Sequence, residues 1–280
     1  MKMNKLLLPF LLAAVALAGC SQPAEQANTA TSAADSSTPA KPVKLVVAAT
    51  AVPHAEVLEI VEPLMQAQGI ELDVHVFNDY VQPNDQLVQK QVDVNYFQTG
   101  PYLDAYNRER GTDLTIITGI HIEPMAAYSQ RFKTLEELPE GAQVALPNDP
   151  SNNSRALILL HNAGLIQLAD AENALASQDD IIENPKQLNF REMDTPMLPR
   201  VLDQLDLAVI NTNYAMGAGL DPVRDGLVIE KSDSPYVNFL VARADNRDDA
   251  RIQALAQALT SPEVKAFIEQ KYNGAVLPAF

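Results

Sequence analysis

The sequence predicts an α/β protein of two lobes with a ligand cleft between them, and three observations carry that expectation. From Val43 onward, short apolar runs alternate with amphipathic segments, the pattern of helices packed on a mostly parallel sheet. Glycines follow several amphipathic segments at helix-stop positions. The chain from Lys44 to Phe280 is long enough for a sizeable core or for two lobes.

Taken in order, residues 45–49 read as a buried strand. Residues 53–67 place Val57, Leu58, Val61, Leu64 and Met65 on one helical face, and Gly69 offers a stop. Residues 72–77 read as a second strand. The same grammar then gives a helix near 83–90, a strand near 93–97, a helix over 101–110 closed by Gly111, and a strand over 114–120. Thr134 with Glu137 fits a capping box, 143–146 a strand, and 154–163 a helix ended by Gly164. Residues 206–210 form another buried strand, ending at Asn211. Near the C-terminus Ile252, Leu255, Ala256 and Leu259 are in helical register, and Ser261-Pro262 opens a final helix. There is no internal repeat. In such a fold ligand contacts lie just past the C-terminal ends of strands, where helix N-termini also point.

The N-terminus reads as a secretory leader: Lys2 and Lys5 supply positive charge, residues 6–18 are apolar, and small residues precede Cys20. The apolar run is too short to span a bilayer comfortably. The stretch Leu17-Ala18-Gly19-Cys20 resembles the bacterial lipobox, which implies that residues 1–19 are removed and that Cys20 carries lipid. Residues 20–43, rich in Ser, Thr, Ala, Gln and Pro, are too poor in large apolar side chains to fold, and read as a tether to a membrane of the cell envelope. Cys20 is the only cysteine, so no intrachain disulfide is possible.

The formal charge is -16, and loss of Lys2 and Lys5 with the leader makes it more negative still. Nucleic acid is not the partner expected from that sign, because phosphate backbones attract the opposite one. The spacings G-x-S-x-G, G-x-x-x-x-G-K-[ST], H-E-x-x-H and G-x-G-x-x-G are absent. The four histidines, His54, His75, His121 and His161, are scattered in sequence and have no cysteine partners. The expectation is therefore no catalytic residue, no metal and no cofactor, although a pair of distant carboxylates leaves no signature in spacing. Any transport energy then comes from another polypeptide.

Several blocks occur in an order that resembles the methionine-binding lipoproteins of the MetQ/NlpA family. They are Val52-Pro53-His54-Ala55-Glu56, Phe77-Asn78-Asp79-Tyr80, Phe97-Gln98-Thr99-Gly100-Pro101-Tyr102 and His121-Ile122-Glu123-Pro124-Met125. After them come Pro147-Asn148-Asp149-Pro150-Ser151-Asn152 with Arg155, Leu198-Pro199-Arg200, Ala208-Val209-Ile210-Asn211 with Tyr214, and Ser234-Pro235-Tyr236-Val237-Asn238. The resemblance covers Lys44 to Phe280. It implies a type II periplasmic-binding-protein fold, with residues 44–126 and 236–280 in one lobe, 127–235 in the other, and a hinge between. It also implies an ABC importer permease with its ATPase subunit as partner, and a small amino acid, L-methionine foremost, as ligand. Another amino acid, a short peptide, or a non-transport surface role such as an adhesin is the alternative. By motif position the implied ligand contacts are Tyr80, Phe97, Tyr102, Arg155, Asn211 and Asn238.

The chemistry of these residues can be weighed by itself. A buried carboxylate needs a cation and hydrogen bonds, and a guanidinium at a helix start offers a bidentate match, which is the role expected of Arg155. Asn211 and Asn238 sit in apolar surroundings, where each amide bonds either to backbone or to a ligand, as donor or as acceptor. Tyr80, Phe97 and Tyr102 suit either a core or a slot for a thioether. His54 and His121 read as structural groups, and Glu123 as a weaker candidate for an ammonium. Where the family reads Phe-Gln-His, this chain has Phe97-Gln98-Thr99 followed by Gly100, which implies a smaller, less polar wall with room for a different or longer ligand.

Overall fold

Strand β1, Val43–Thr50, alternates its side chains between two helical layers, and a computed structural model describing residues 42–280 shows both. Leu45, Val47 and Ala49 meet the apolar face of α1, Glu56–Gln66, where Val57, Leu58, Val61 and Met65 are buried. The same layer takes side chains from α5, Ala250–Leu259, capped by Asp249, and α6, Pro262–Tyr272, which opens at Ser261-Pro262 as expected. On the other face Ala48 packs with Leu87 of α2, Gln82–Val88, and with Leu103 and Tyr106 of α3, Gly100–Arg110. The leader, Cys20 and nearly all of the expected tether lie outside the described residues.

The first sheet is ordered β13-β4-β12-β3-β1-β2. Its members are β2, Ile70–Phe77, β3, Val94–Thr99, β4, Thr115–Ile122, β12, Val237–Ala242, and β13, Leu277–Pro278, besides β1. The sheet is mixed: β12 runs antiparallel to both β3 and β4, and β13 antiparallel to β4. Gly111, at φ +65, closes α3 as expected, because only glycine enters the left-handed region without strain.

The second sheet is ordered β11-β5-β10-β6-β9. It contains β5, Ala126–Tyr128, β6, Gln143–Pro147, β9, Asn189–Met193, β10, Leu207–Ile210, and β11, Val228–Ile229, while β7, Gln167–Leu168, and β8, Ile181–Glu183, pair with each other apart from it. Its core joins Val144, Leu146 and Val209 to Leu157 and Leu160 of α4, Pro150–Asn162. On the opposite face Ala145 and Ala208 meet Leu198 and Leu202 of a 3-10 helix, Thr195–Gln204. Ala126, which the sequence placed at the end of the first lobe, opens β5 and pairs with Ile210 in the second sheet.

The chain crosses between lobes twice, through residues 123–125 after β4 and through 230–236 after β11. In each sheet the strand that follows a crossing, β5 or β12, is inserted antiparallel among parallel neighbours. This exchange of strands makes the two crossings the hinge.

Two sequence expectations need correction. No helix follows Thr134; the segment is a turn in which Glu137 accepts from the Lys133 N–H, and Pro139 and Gly141 stop any helix. Helix α4 begins at Pro150, capped by Asp149, so Arg155 stands on its second turn and not at its start.

Gly119 marks a tight approach inside the first sheet. A β-carbon there would stand 2.9 Å from Val237 Cγ1 and 3.2 Å from Phe239 Cε1. Gly119→Ala is expected to destabilise the chain by about 1–3 kcal/mol, read as a lower urea midpoint.

Candidate functional site

Because parallel strands end on one side of each sheet, both sheets present their C-terminal edges to the same space. From the first come Tyr80 past β2, Phe97 to Thr99 at the end of β3, Tyr102 on the first turn of α3, and Glu123 past β4. Asn238 joins them because antiparallel β12 starts where its neighbours finish, opposite Thr99 and His121. From the second come Asn211 and Thr212 past β10, with Asn152 and Arg155 on α4. Together they line a small cavity between the two sheets. All six residues expected from motif position, Tyr80, Phe97, Tyr102, Arg155, Asn211 and Asn238, stand in this wall.

Arg155 is 3% exposed and already engaged. Its Nε donates to Glu230 Oε1 at 2.7 Å and its Nη2 to Glu230 Oε2 at 2.6 Å. Nη2 also donates to the Glu123 main-chain oxygen at 2.7 Å, and the guanidinium carbon lies 4.2 Å from the centre of the Tyr236 ring. The two-pronged edge assigned to a ligand carboxylate from sequence is therefore occupied by Glu230. Nη1 carries no hydrogen-bond partner among the described residues, and it is the edge left for a ligand. Glu230 also accepts from the Met125 N–H at 2.9 Å. This pair ties both crossings to α4. It compensates a charge whose unpaired burial would cost several kcal/mol.

The amides are oriented by their partners. Asn211 Nδ2 donates to Asn152 Oδ1 at 2.8 Å, while Asn211 Oδ1 is buried with no partner among the described residues. Asn238 Oδ1 lies 3.1 Å from His54 Nε2. Glu123 Oε1 is 3.4 Å from that nitrogen and 2.8 Å from His121 Nε2. A carboxylate facing both nitrogens makes them the N–H bearers, with Nδ1 of each ring accepting from Thr50 or Tyr96 hydroxyl. His54 Nε2 then donates to Asn238 Oδ1, which leaves the Asn238 NH₂ for the cavity. Gln98, in contrast, spends its amide on Asn84 and Asn95 and forms wall only.

The histidines are thus scattered in sequence but not in space. His54, His121 and Glu123 bring three potential metal-ligand atoms within 4.8 Å of one another, and hydrogen bonds already engage each of them. Burial lowers His54 to about 4 and His121 to about 3, so both rings are neutral at pH 7. Burial pushes the Glu123 carboxyl up, against the opposing charge of Arg155. For the histidines the unfolded chain binds more protons below the ordinary value, so the stability they confer is complete above it and drains as pH falls toward the folded values. Glu123 acts in the opposite sense and offsets part of the loss. The unfolding free energy is expected to be about 2–4 kcal/mol lower at pH 5 than at pH 7. Equal urea midpoints at the two pH values would contradict this.

Tyr80, Phe97 and Tyr102 form a triangle, with ring centres 6.0 Å, 5.8 Å and 5.8 Å apart. Tyr102 OH donates to the Tyr80 main-chain oxygen at 2.9 Å. Tyr80 OH donates to Asn213 Oδ1 at 2.5 Å and Tyr214 OH to the Asn78 main-chain oxygen at 3.2 Å, so aromatic hydroxyls bridge the lobes. Thr99, 8% exposed, lines the cavity where the family pattern implied an imidazole.

The arrangement brings donors and acceptors together beside an aromatic slot between lobes, which suits the adjacent ammonium and carboxylate of a small zwitterion. The sequence profile of the NlpA lipoprotein family matches residues 45–280. The chain belongs to the NlpA lipoprotein family. Among family relatives, the D-methionine-binding lipoprotein MetQ of Salmonella typhi is 40% identical over 95% of this chain and 94% of its own. A nutrient-binding protein from Burkholderia cenocepacia, solved bound to methionine, superposes with TM-score 0.82 at 42% identity, covering 84% of this chain and all of that one. An ABC transporter periplasmic substrate-binding protein from Coxiella burnetii gives TM-score 0.80 at 39% identity over 84% of this chain. The two solved neighbours share its two-lobed α/β fold. No helix among the described residues is long and apolar enough to cross a membrane.

Sequence reasoning missed Glu230, Tyr236 as a stacking partner, Asn152 and Thr212. A usable signal existed for the first: Ile229-Glu230 repeats Ile122-Glu123, a strand-ending isoleucine followed by glutamate at each crossing.

Proposed function

We propose that this protein is the substrate-binding component of an ABC importer, anchored to the bacterial envelope through lipid on Cys20, and that it holds methionine between lobes 44–126 with 236–280 and 127–235, Ala126 excepted. The observation that carries the reading is the convergence of the six motif residues on one interlobe cavity. The ligand carboxylate takes the Arg155 Nη1 and Asn238 Nδ2 donors. Its ammonium takes Asn211 Oδ1 and the Glu123 carboxylate. The thioether enters the triangle of Tyr80, Phe97 and Tyr102, where each sulfur–ring contact contributes about 0.3–1.5 kcal/mol. The chain binds and releases without chemistry, and the energy for transport comes from the importer's own ATPase. The names of relatives that bind methionine support the same ligand.

Binding is feasible in magnitude. A ligand of methionine's size has a ceiling of about 13 kcal/mol, enough for nanomolar affinity if both lobes enclose it. At a hundred times its dissociation constant, L-methionine is expected to stabilise the protein by about 2.7 kcal/mol, read by thermal shift, with D-methionine as the parallel probe. If neither shifts the melting temperature while an unrelated amino acid does, the cavity serves another ligand.

A further inference from the structure

The cavity's charges do not balance. The guanidinium of Arg155 is closed on Glu230 by two short hydrogen bonds, so the pair presents a ligand with the uncommitted Nη1 donors but little net positive charge. The other end differs. Glu123 is a second carboxylate, 6% exposed, and its contacts at 2.8 Å and 3.4 Å are imidazoles of His121 and His54 that burial keeps neutral. Asn211 Oδ1 adds an acceptor without a partner among the described residues. One cation and two carboxylates therefore stand at the site, and of the two carboxylates Glu123, which lines the cavity, is the one whose side-chain partners among the described residues are neutral rings and not a cation.

We propose that this site, given the amino-acid reading on which the inference rests, selects its ligands by the α-ammonium, and accepts primary α-amines with a short apolar side chain whether their carboxyl is free or is masked as an amide or ester. A carbonyl oxygen accepts from the Arg155 Nη1 and Asn238 Nδ2 donors as a carboxylate does, since neither donor brings a net charge that demands an anion. Loss of the amine, in contrast, leaves the Glu123 carboxylate facing neutral rings with no ligand cation, and Asn211 Oδ1 enclosed without a donor. Glu230 is then a positioning residue, because it sets how much of the Arg155 charge a ligand meets.

The test is a calorimetric panel on the purified full-length protein with methionine, methioninamide, and deamino-methionine, which has hydrogen in place of the amino group. Methioninamide is expected within about tenfold of methionine, and deamino-methionine weaker by about a thousandfold or more. Deamino-methionine binding more tightly than methioninamide overturns the proposal. Failure of methionine itself to bind removes the underlying reading, a result distinguishable from a reversed order. In a second arm, Glu230→Gln frees the guanidinium charge, and the ratio of amide to deamino-acid affinity is expected to fall about tenfold or more. An unchanged ratio in a variant with normal circular dichroism contradicts the charge argument, and the wild-type panel stands whether or not that variant folds.

Discussion

Arg155→Ala is expected to weaken methionine binding by about a thousandfold or more, and to cost about 3–5 kcal/mol of stability. Two effects combine. The Nη1 donors vanish, and a hydrogen bond to a charged group is worth about 1.5–3 kcal/mol. In addition Glu230, whose side chain is 11% exposed, is left as a largely buried carboxylate without its cation, close to the place proposed for the ligand's own carboxylate. Because Arg155 also holds the Glu123 main-chain oxygen and stacks on Tyr236, both hinge crossings lose their anchor on α4. Calorimetry gives the binding term and urea denaturation the stability term. Wild-type affinity in the folded variant would show that no ligand group reaches Arg155.

The second large effect is expected at Asn238, which is 4% exposed. Its Oδ1 is held by His54 and its Nδ2 faces the cavity, so alanine removes a ligand donor and leaves His54 Nε2 with Glu123 alone. Asn238→Ala should weaken binding about ten- to a hundredfold, with stability lowered by about 1–2 kcal/mol. If His54 fixes the amide, His54→Phe should lower affinity in the same direction although it never touches the ligand. Unchanged affinity in both variants would place the ligand's carboxylate elsewhere.

The strand and helix order was legible because each element carries its own period: Val57, Leu58, Val61 and Met65 mark one buried face, and Gly111 the stop that follows α3. The motif residues were legible through the family resemblance, and they fall where such a fold exposes side chains to a cleft, near strand ends and helix starts. What sequence could not give is pairing over distance. Glu230 lies 75 residues from Arg155 and His54 lies 184 from Asn238. Only the folded crossings reveal that the guanidinium's two-pronged edge is already taken and that two distant histidines share one carboxylate. Strand β12 escaped for a related reason, since it is an apolar run whose antiparallel insertion depends on β3 and β4, which come far earlier in the chain. The capping pattern at Thr134 misled because local chemistry was read without the proline and glycine that follow it.

The central claim is that a single amino acid lies between the lobes, with its carboxylate at Arg155 Nη1 and Asn238 and its ammonium at Glu123 and Asn211. A crystal structure of the protein grown with L-methionine tests it directly. The account expects ligand density enclosed by Tyr80, Phe97 and Tyr102, with the Arg155–Glu230 pair intact. Density for methionine outside this cavity, or with its two charged ends reversed, would contradict it.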